Sequence, residues 1–292
     1  MLAGMTSAAQ PLPPLPGDLE LEVTSLYLYP VKSCAALPVD TLELDASGGA
    51  VGDREWAVLN ERGEVTWQGD HPRLALVRPR RHGTRLVLQA PELPDLGLPD
   101  AAPLTPRTLK IWNERLAASE VFEGFDAGDD AARWLQQAAG APLRLARLGE
   151  AAVRRESVNR LHLLSEESAA AVNAALAQRG QRTVEMLRFR PNIVVRGATE
   201  PLQPFVEDHA QALHWLAGNG PGRIDIAGHC VRCVMPNIDL HSAAVGDQPL
   251  QLLTELAAQR RPGGPTTLGI YGRGAAAGRL HVGDRASLVL AF

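Results

Sequence analysis

The sequence predicts a mainly β protein with a few helices, in the α+β class, whose strands form a barrel or a sandwich. From about residue 20 onward, short segments alternate apolar and polar residues, which is the pattern of half-buried strands. Glycines separate many of these segments as turn residues, and two longer segments carry a helical period. Many short strands at close spacing are typical of barrels and sandwiches.

The N-terminal part is predicted to consist of a tail followed by short strands. Residues 1–19 contain four prolines and neither lysine nor arginine, which predicts a flexible, Pro-rich tail without the charged start of a secretory signal. The strands that follow are predicted at residues 37–44, 55–59, 74–77, 85–88 and 109–112.

The C-terminal part is predicted to be mixed. Residues 129–139 and 166–179 carry a helical period; Gly140 and Gly180 end the two helices, and Ser165 caps the second. Strands then resume at residues 192–195, 223–226 and 286–290. The predicted organisation is a tail at 1–19, a β-rich domain at 20–120 and a second domain at 121–292.

Composition excludes several classes of protein. Of the 292 residues, 45% are hydrophobic and 21% are charged, which indicates a folded globular chain. A net charge of −4 argues against a nucleic-acid partner. No uninterrupted run of 18 apolar residues is present, so we expect no membrane span and a cytoplasmic location. Three cysteines exclude a disulfide scaffold and a four-thiolate iron–sulfur cluster.

The pair Cys230 and Cys233 forms a CxxC motif with several interpretations. Both thiols could be small apolar core residues. A structural zinc ion needs two further ligands, for which His229 and His241 are the nearest candidates. A redox dithiol should open a helix, but Pro236 follows and no helical pattern begins. The remaining interpretation is one thiolate that acts as a nucleophile or as a ligand of a soft metal.

Basic and small residues at several turns suggest an anionic ligand. Arginine lowers the pKa of a nearby thiol, lysine and arginine bind phosphate, and glycine lets the backbone approach a ligand. Each of these residues also fits a structural interpretation, such as a surface charge, an Asp53–Arg54 pair or an ordinary turn. Together with a thiolate they could hold an anionic cofactor that carries a thiophilic metal. They are Lys32, Ser33, Arg54, Arg188, Arg190, Arg232 and Gly269.

With these residues, the chain carries a series of motifs that resembles, in content and order, the MOSC family. That family was first defined at the C-terminus of molybdenum cofactor sulfurases. The chain is most similar to the standalone branch that includes the mitochondrial amidoxime reducing component and its bacterial relatives. The resemblance implies a β-barrel MOSC domain preceded by a smaller β-rich N-terminal domain. The motifs that carry it are LYLYPVKSC, GDREW, QGDHPRLALV, LKIW, RFRPNIVV, PFVED, CVRC, and LGIYGR followed by HVGD.

The resemblance also implies a site for the molybdenum cofactor, molybdenum bound to molybdopterin. Cys233 matches the cysteine that ligates molybdenum and is the implied catalytic residue. Ser157 and Asn159 lie near another contact loop, although their segment RRESVNRL departs from the family pattern. Leu268 replaces a phenylalanine, and Trp67-Gln68-Gly69 lacks an arginine of the family. The other implied cofactor residues are Lys32, Ser33, Arg54, Arg190, Arg232 and Gly269.

The implied activity is the reduction of N-hydroxylated compounds, such as hydroxylamines and amidoximes, from N–OH to N–H. The sequence ends at Phe292 without a ferredoxin-like domain, so we expect a separate electron donor, either a reductase or a ferredoxin-like protein. The alternative is a sulfur carrier or cofactor-handling protein in which Cys233 carries a persulfide or holds the cofactor for delivery.

Overall fold

A computed structural model describes residues 18–82, 85–98, 105–113, 116–155, 161–217 and 220–291, and it confirms a mainly β protein. The α-helices of these ranges are α1 (Asp129–Ala139), α2 (Glu150–Val153), α3 (Glu166–Gln178) and α4 (Leu250–Arg260). The strands are β1 (Leu19–Leu28), β2 (Leu37–Val39), β3 (Thr41–Leu44), β4 (Trp56–Leu59), β5 (Arg78–His82), β6 (Arg85–Gln89), β7 (Leu96–Gly97), β8 (Thr105–Asn113), β9 (Ala118–Asp126), β10 (Arg144–Leu148), β11 (Leu161–Ser165), β12 (Ile193–Gly197), β13 (Ala210–Ala217), β14 (Gly220–Val231), β15 (Thr267–Gly274), β16 (Gly278–His281) and β17 (Arg285–Leu290).

Seven strands form a closed barrel in the order β12-β11-β15-β14-β13-β17-β1, and β1 pairs with β12 to close it. Neighbouring strands are antiparallel except β11 and β12. A ring with an odd number of strands cannot alternate throughout, so one parallel pair is required. Because a parallel pair needs a long crossover, the chain places α3 between β11 and β12. The barrel interior holds a core of apolar side chains that includes Leu21, Ile193 and Leu288.

A second region of β structure lies along the chain between β1 and the other six strands of the barrel. Strands β4, β10, β9 and β8 form an antiparallel sheet, and β5, β6 and β7 form a smaller one. Helix α1 packs Ala131, Trp134 and Leu135 into the core of this region. The predicted boundary after residue 120 falls inside β9, which pairs with β8 along its whole length.

Most of the predicted elements are confirmed, and one is wrong. Helix α1 has the predicted bounds, and Gly140 ends it in the left-handed conformation with φ 72°. Ser165 caps α3 by accepting a hydrogen bond from the Ser168 amide. The predicted strand at residues 74–77 is instead a short 3-10 helix at Pro72–Leu76, because proline at its start favours a helical turn. Among the described residues, no helix is both long and apolar enough to cross a membrane.

Candidate functional site

Four segments meet at one end of the barrel. They are the loop after β1, the segment that leads into β12, the end of β14 and the start of β15. Asn192 ties the segment that leads into β12 to β1 and β11, because its side-chain oxygen accepts from the His162 amide at 3.2 Å and its side-chain nitrogen donates to Tyr27 O at 3.0 Å. The Arg232 amide donates to Thr266 O at 2.9 Å and joins the end of β14 to the start of β15. Sequence analysis quoted the motif around Asn192 but gave this residue no role.

The ring of Tyr29 contacts two of the predicted arginines, Arg54 and Arg190. This side chain is fully buried, and its hydroxyl donates to Pro191 O at 3.1 Å. The guanidinium carbon of Arg190 lies over the ring at 4.1 Å from its centroid, and that of Arg54 lies at 5.3 Å. Asp53 accepts from the Tyr29 amide at 2.6 Å and forms an ion pair with Arg54. One aromatic ring therefore holds two cations in a defined arrangement.

Backbone strain is concentrated at the same place. Ser33, Arg54 and Arg190 have φ angles of 70°, 52° and 58°, in the left-handed region that glycine favours. They are three of the seven non-glycine residues with positive φ in the described ranges. Such a conformation costs about 1–3 kcal/mol per residue, and strained positions of this kind cluster at functional sites. The strain singles out three of the residues that the family resemblance implied.

Positive charge at the site exceeds its counter-charge. Lys32 Nζ lies 3.5 Å from Thr66 O, and within the described part of the chain neither Lys32 nor Arg190 forms an ion pair with a carboxylate. Burial, together with the charges of Arg155, Arg190 and Arg54, lowers the pKa of Lys32 to about 8. Burial also lowers the pKa of Arg190. An anion bound among these cations would offset their mutual repulsion.

The two thiols of the CxxC motif have different environments. Cys233 is exposed, whereas Cys230 is 1% exposed. Arg232 Nη1 donates to Cys230 Sγ at 2.8 Å, and Nη2 donates to Phe189 O at 2.8 Å. Burial raises the pKa of Cys230, but the charge of Arg232 and the contacts with His162 outweigh it and bring the pKa to about 6. The contact with Arg232 therefore favours the thiolate form of Cys230, while Cys233 remains accessible to a ligand.

Gly269 makes room for a buried histidine. Its φ is 72°, and a Cβ atom there would lie 2.5 Å from His162 Nε2 and 2.6 Å from Leu163 O. The His162 ring nitrogens contact two backbone carbonyls, Arg190 O and Leu268 O, both at 3.2 Å. Gly269 thus leaves space for the His162 ring, and that ring contacts the carbonyl oxygen of Arg190, whose backbone is strained.

Gly269→Ala is expected to lower the free energy of unfolding by about 2–4 kcal/mol, through left-handed strain and displacement of buried groups. Urea denaturation measures this loss. Gly278→Ala is the control, because a Cβ there has no neighbour within 4 Å, and it should change stability by less than about 0.5 kcal/mol. Equal stability of the two variants would contradict the packing described for Gly269.

The sequence motifs did not single out Arg155, whose positive charge lowers the pKa of Lys32. The predicted residues Ser157 and Asn159 lie outside the described residues. The described His, Cys, Asp and Glu side chains form no group of three or more that could hold a metal ion on its own. A metal at this site would therefore depend on the ligands of an added cofactor together with one thiolate.

The fold and the site define a two-region, mainly β protein in which a closed barrel carries a basic site with an accessible thiol. Residues 20–142 match the MOSC N-terminal beta barrel domain, and residues 152–287 match the MOSC domain. The chain belongs to the MOSC family.

Relatives and a solved structure extend this comparison. The chain is 30% identical over 254 residues to mitochondrial amidoxime-reducing component 1 of Homo sapiens, covering 79% of this chain and 70% of that protein. It is 28% identical over 275 residues to the molybdenum cofactor sulfurase of Danio rerio, covering 85% of this chain and 31% of that protein. The YUAD protein from Bacillus subtilis aligns at 12% identity and a TM-score of 0.43, covering 94% and 98% of the two chains.

Proposed function

We propose that this protein is a molybdenum-cofactor enzyme that reduces N-hydroxylated compounds, such as hydroxylamines and amidoximes. The observation that carries the proposal is the accessible thiol of Cys233 near Lys32, which forms no ion pair with a carboxylate in the described part of the chain. The relationship to amidoxime-reducing components supports the reaction class.

The residues present fit an anionic cofactor that carries a soft metal. The excess positive charge around Lys32 suits a phosphate group, and an exposed thiol suits molybdenum that already has sulfur ligands. In this proposal Cys233 ligates the metal, while Lys32, Ser33, Arg54, Arg190 and Arg232 hold the cofactor. Two terminal nitrogens of Arg232 are engaged by Cys230 and Phe189, and its buried Nε has no partner among the described residues.

The cofactor, when bound, supplies the two electrons that convert R–NHOH and two protons into R–NH₂ and water. The protein's own contribution is to bind and orient that group. The ring of Tyr29 fixes the positions of Arg54 and Arg190, so little side-chain entropy is lost when they meet an anion. Cys230 accepts a hydrogen bond from Arg232, and the exposed Cys233 is left as the thiol that can reach a ligand.

The electrons are proposed to come from a separate donor, either a reductase or a ferredoxin-like protein. The three cysteines of the chain are too few for a four-thiolate cluster of its own. An artificial donor such as reduced methyl viologen would replace the physiological one in an assay.

The test is the metal and pterin content of the protein purified from a host that makes molybdenum cofactor. We expect about one molybdenum and one pterin per chain, with reduction of benzamidoxime by the artificial donor. A protein with neither molybdenum nor pterin would contradict the proposal. Persulfide on Cys233 would then favour the sulfur-carrier alternative.

A further inference from the structure

We propose that Arg155 is an additional anion-binding residue of this site, and that it shares one phosphate group with Lys32. This inference rests on the proposed function, since that phosphate would belong to the cofactor. The family resemblance gave Arg155 no role, although the residue lies in the segment RRESVNRL, which departs from the family pattern.

Local contacts fix the guanidinium of Arg155. Its Nη1 donates to Ala152 O at 2.7 Å, and its guanidinium carbon lies 5.7 Å from the centroid of the Phe122 ring. Ala152 and Phe122 belong to an apolar cluster that also contains Val65. The next residue, Thr66, is the one whose carbonyl contacts Lys32 Nζ. Arg155 is thus anchored at this cluster, and Lys32 contacts the residue that follows its member Val65.

Arg154 and Arg155 differ in whether they form an ion pair with a described carboxylate. Arg154 is exposed and pairs with Glu150 at 2.8 Å. Arg155 is partly buried and makes no ion pair within 4.0 Å with any carboxylate that the structure describes. Burial lowers the pKa of Arg155 to about 10, and the more distant charge of Glu120 offsets this only in part.

The two like charges also act on each other. After burial, the charge of Arg155 is the largest influence that lowers the pKa of Lys32, ahead of Arg190 and Arg54. Placing an oxyanion between the two cations would reverse this repulsion. A phosphate monoester fits this position, because a guanidinium fork and an ammonium group bind different oxygens of one phosphate.

Isothermal titration calorimetry with inorganic phosphate tests the proposal on the full chain purified without cofactor. We expect Arg155→Gln to weaken phosphate binding by roughly tenfold or more, which is the loss of one charge-assisted hydrogen bond. Arg154→Gln removes the same charge one residue away and should stay within about twofold of the wild type. Arg155→Lys should recover part of the affinity.

A second measurement does not depend on phosphate. The chain contains two lysines, Lys32 and Lys110, so ¹³C-methylation gives two lysine signals for titration by NMR. Arg155→Gln should raise the titration midpoint of Lys32, and Arg154→Gln should leave it unchanged.

The outcomes separate this inference from the proposed function. A wild-type protein that binds phosphate, with equal affinity in Arg155→Gln and an unmoved Lys32 midpoint, would overturn the role of Arg155 alone. A wild-type protein that binds no phosphate would overturn the anion site itself and Arg155 with it. Weaker binding in Arg155→Gln with a normal Arg154→Gln would support the proposal.

Discussion

Replacing Cys233 by alanine should abolish N-reduction, while the protein stays folded and keeps much of its affinity for the pterin. Cys233 is exposed, so its removal leaves no cavity in the core. Loss of even an outer partner of a metal ligand lowers activity by about 10–100-fold, and loss of the ligand should exceed that range. Activity with an artificial donor, pterin content and thermal unfolding measure the three effects. Full activity in Cys233→Ala would contradict its assignment as the metal ligand.

Cys230→Ala is the matched control and should show the opposite pattern. Removing the buried Cys230 side chain leaves the partly buried Arg232 without its sulfur partner, which should lower the free energy of unfolding by about 2 kcal/mol. The loss of N-reduction per folded molecule should be much milder than in Cys233→Ala. Cys230→Ser keeps a polar partner for Arg232 and should be more stable than Cys230→Ala. Equal loss of activity in both alanine variants, with both folded, would indicate a dithiol mechanism instead.

Binding of phosphate should weaken as the pH rises through about 8, because Lys32 then loses the proton that lets it bind an anion. The pKa of Lys32 is lowered in the free protein, so the charged form predominates below that pH and the neutral form above it. Beyond the midpoint the contribution of Lys32 falls about tenfold per pH unit, until the arginines alone remain. Lys32→Met should bind phosphate roughly tenfold more weakly at pH 7 and lose this pH dependence.

Calorimetry at pH 7, 8 and 9.5 measures this affinity, and NMR of the methylated lysines measures the titration itself. Lys110, which is exposed on β8, provides a second signal from the same sample. A midpoint for Lys32 near 10.4, the ordinary lysine value, would show that its surroundings do not repel the charge. A pH-independent affinity in the wild type would contradict the role of Lys32 in anion binding.

Local sequence patterns predicted the elements well where one segment decides its own structure. Helix α1 has both an amphipathic period and a glycine stop, and its predicted bounds are those of the structure. The apolar run at residues 74–77 has no such period, and Pro72 turned it into a 3-10 helix. The closure of the barrel by β1 and β12 joins segments some 170 residues apart along the chain, as the contact of Thr24 with Val194 shows. Local pattern carries no information about such a pairing.

The candidate site was predicted from motifs, but its internal arrangement was not. CxxC spacing does not tell which thiol the intervening arginine faces, and the structure turns Arg232 toward Cys230. Tyr29 holds two cations through its ring face, a contact between residues that are distant in sequence. Arg155 differs from Arg154 only in what surrounds it, so composition and spacing could not separate the two.

The closure of the barrel limits how the two domains could be inherited or exchanged. β1 lies in the part of the chain that matches the N-terminal domain, yet it completes a barrel whose other six strands come from the C-terminal part. A fragment that starts at residue 121 would leave the edges of β12 and β17 unpaired and prone to associate with other chains. β1 therefore ties the N-terminal part of the chain to the barrel of the C-terminal part. A recombination event between members of this family would have to carry β1 together with the C-terminal domain.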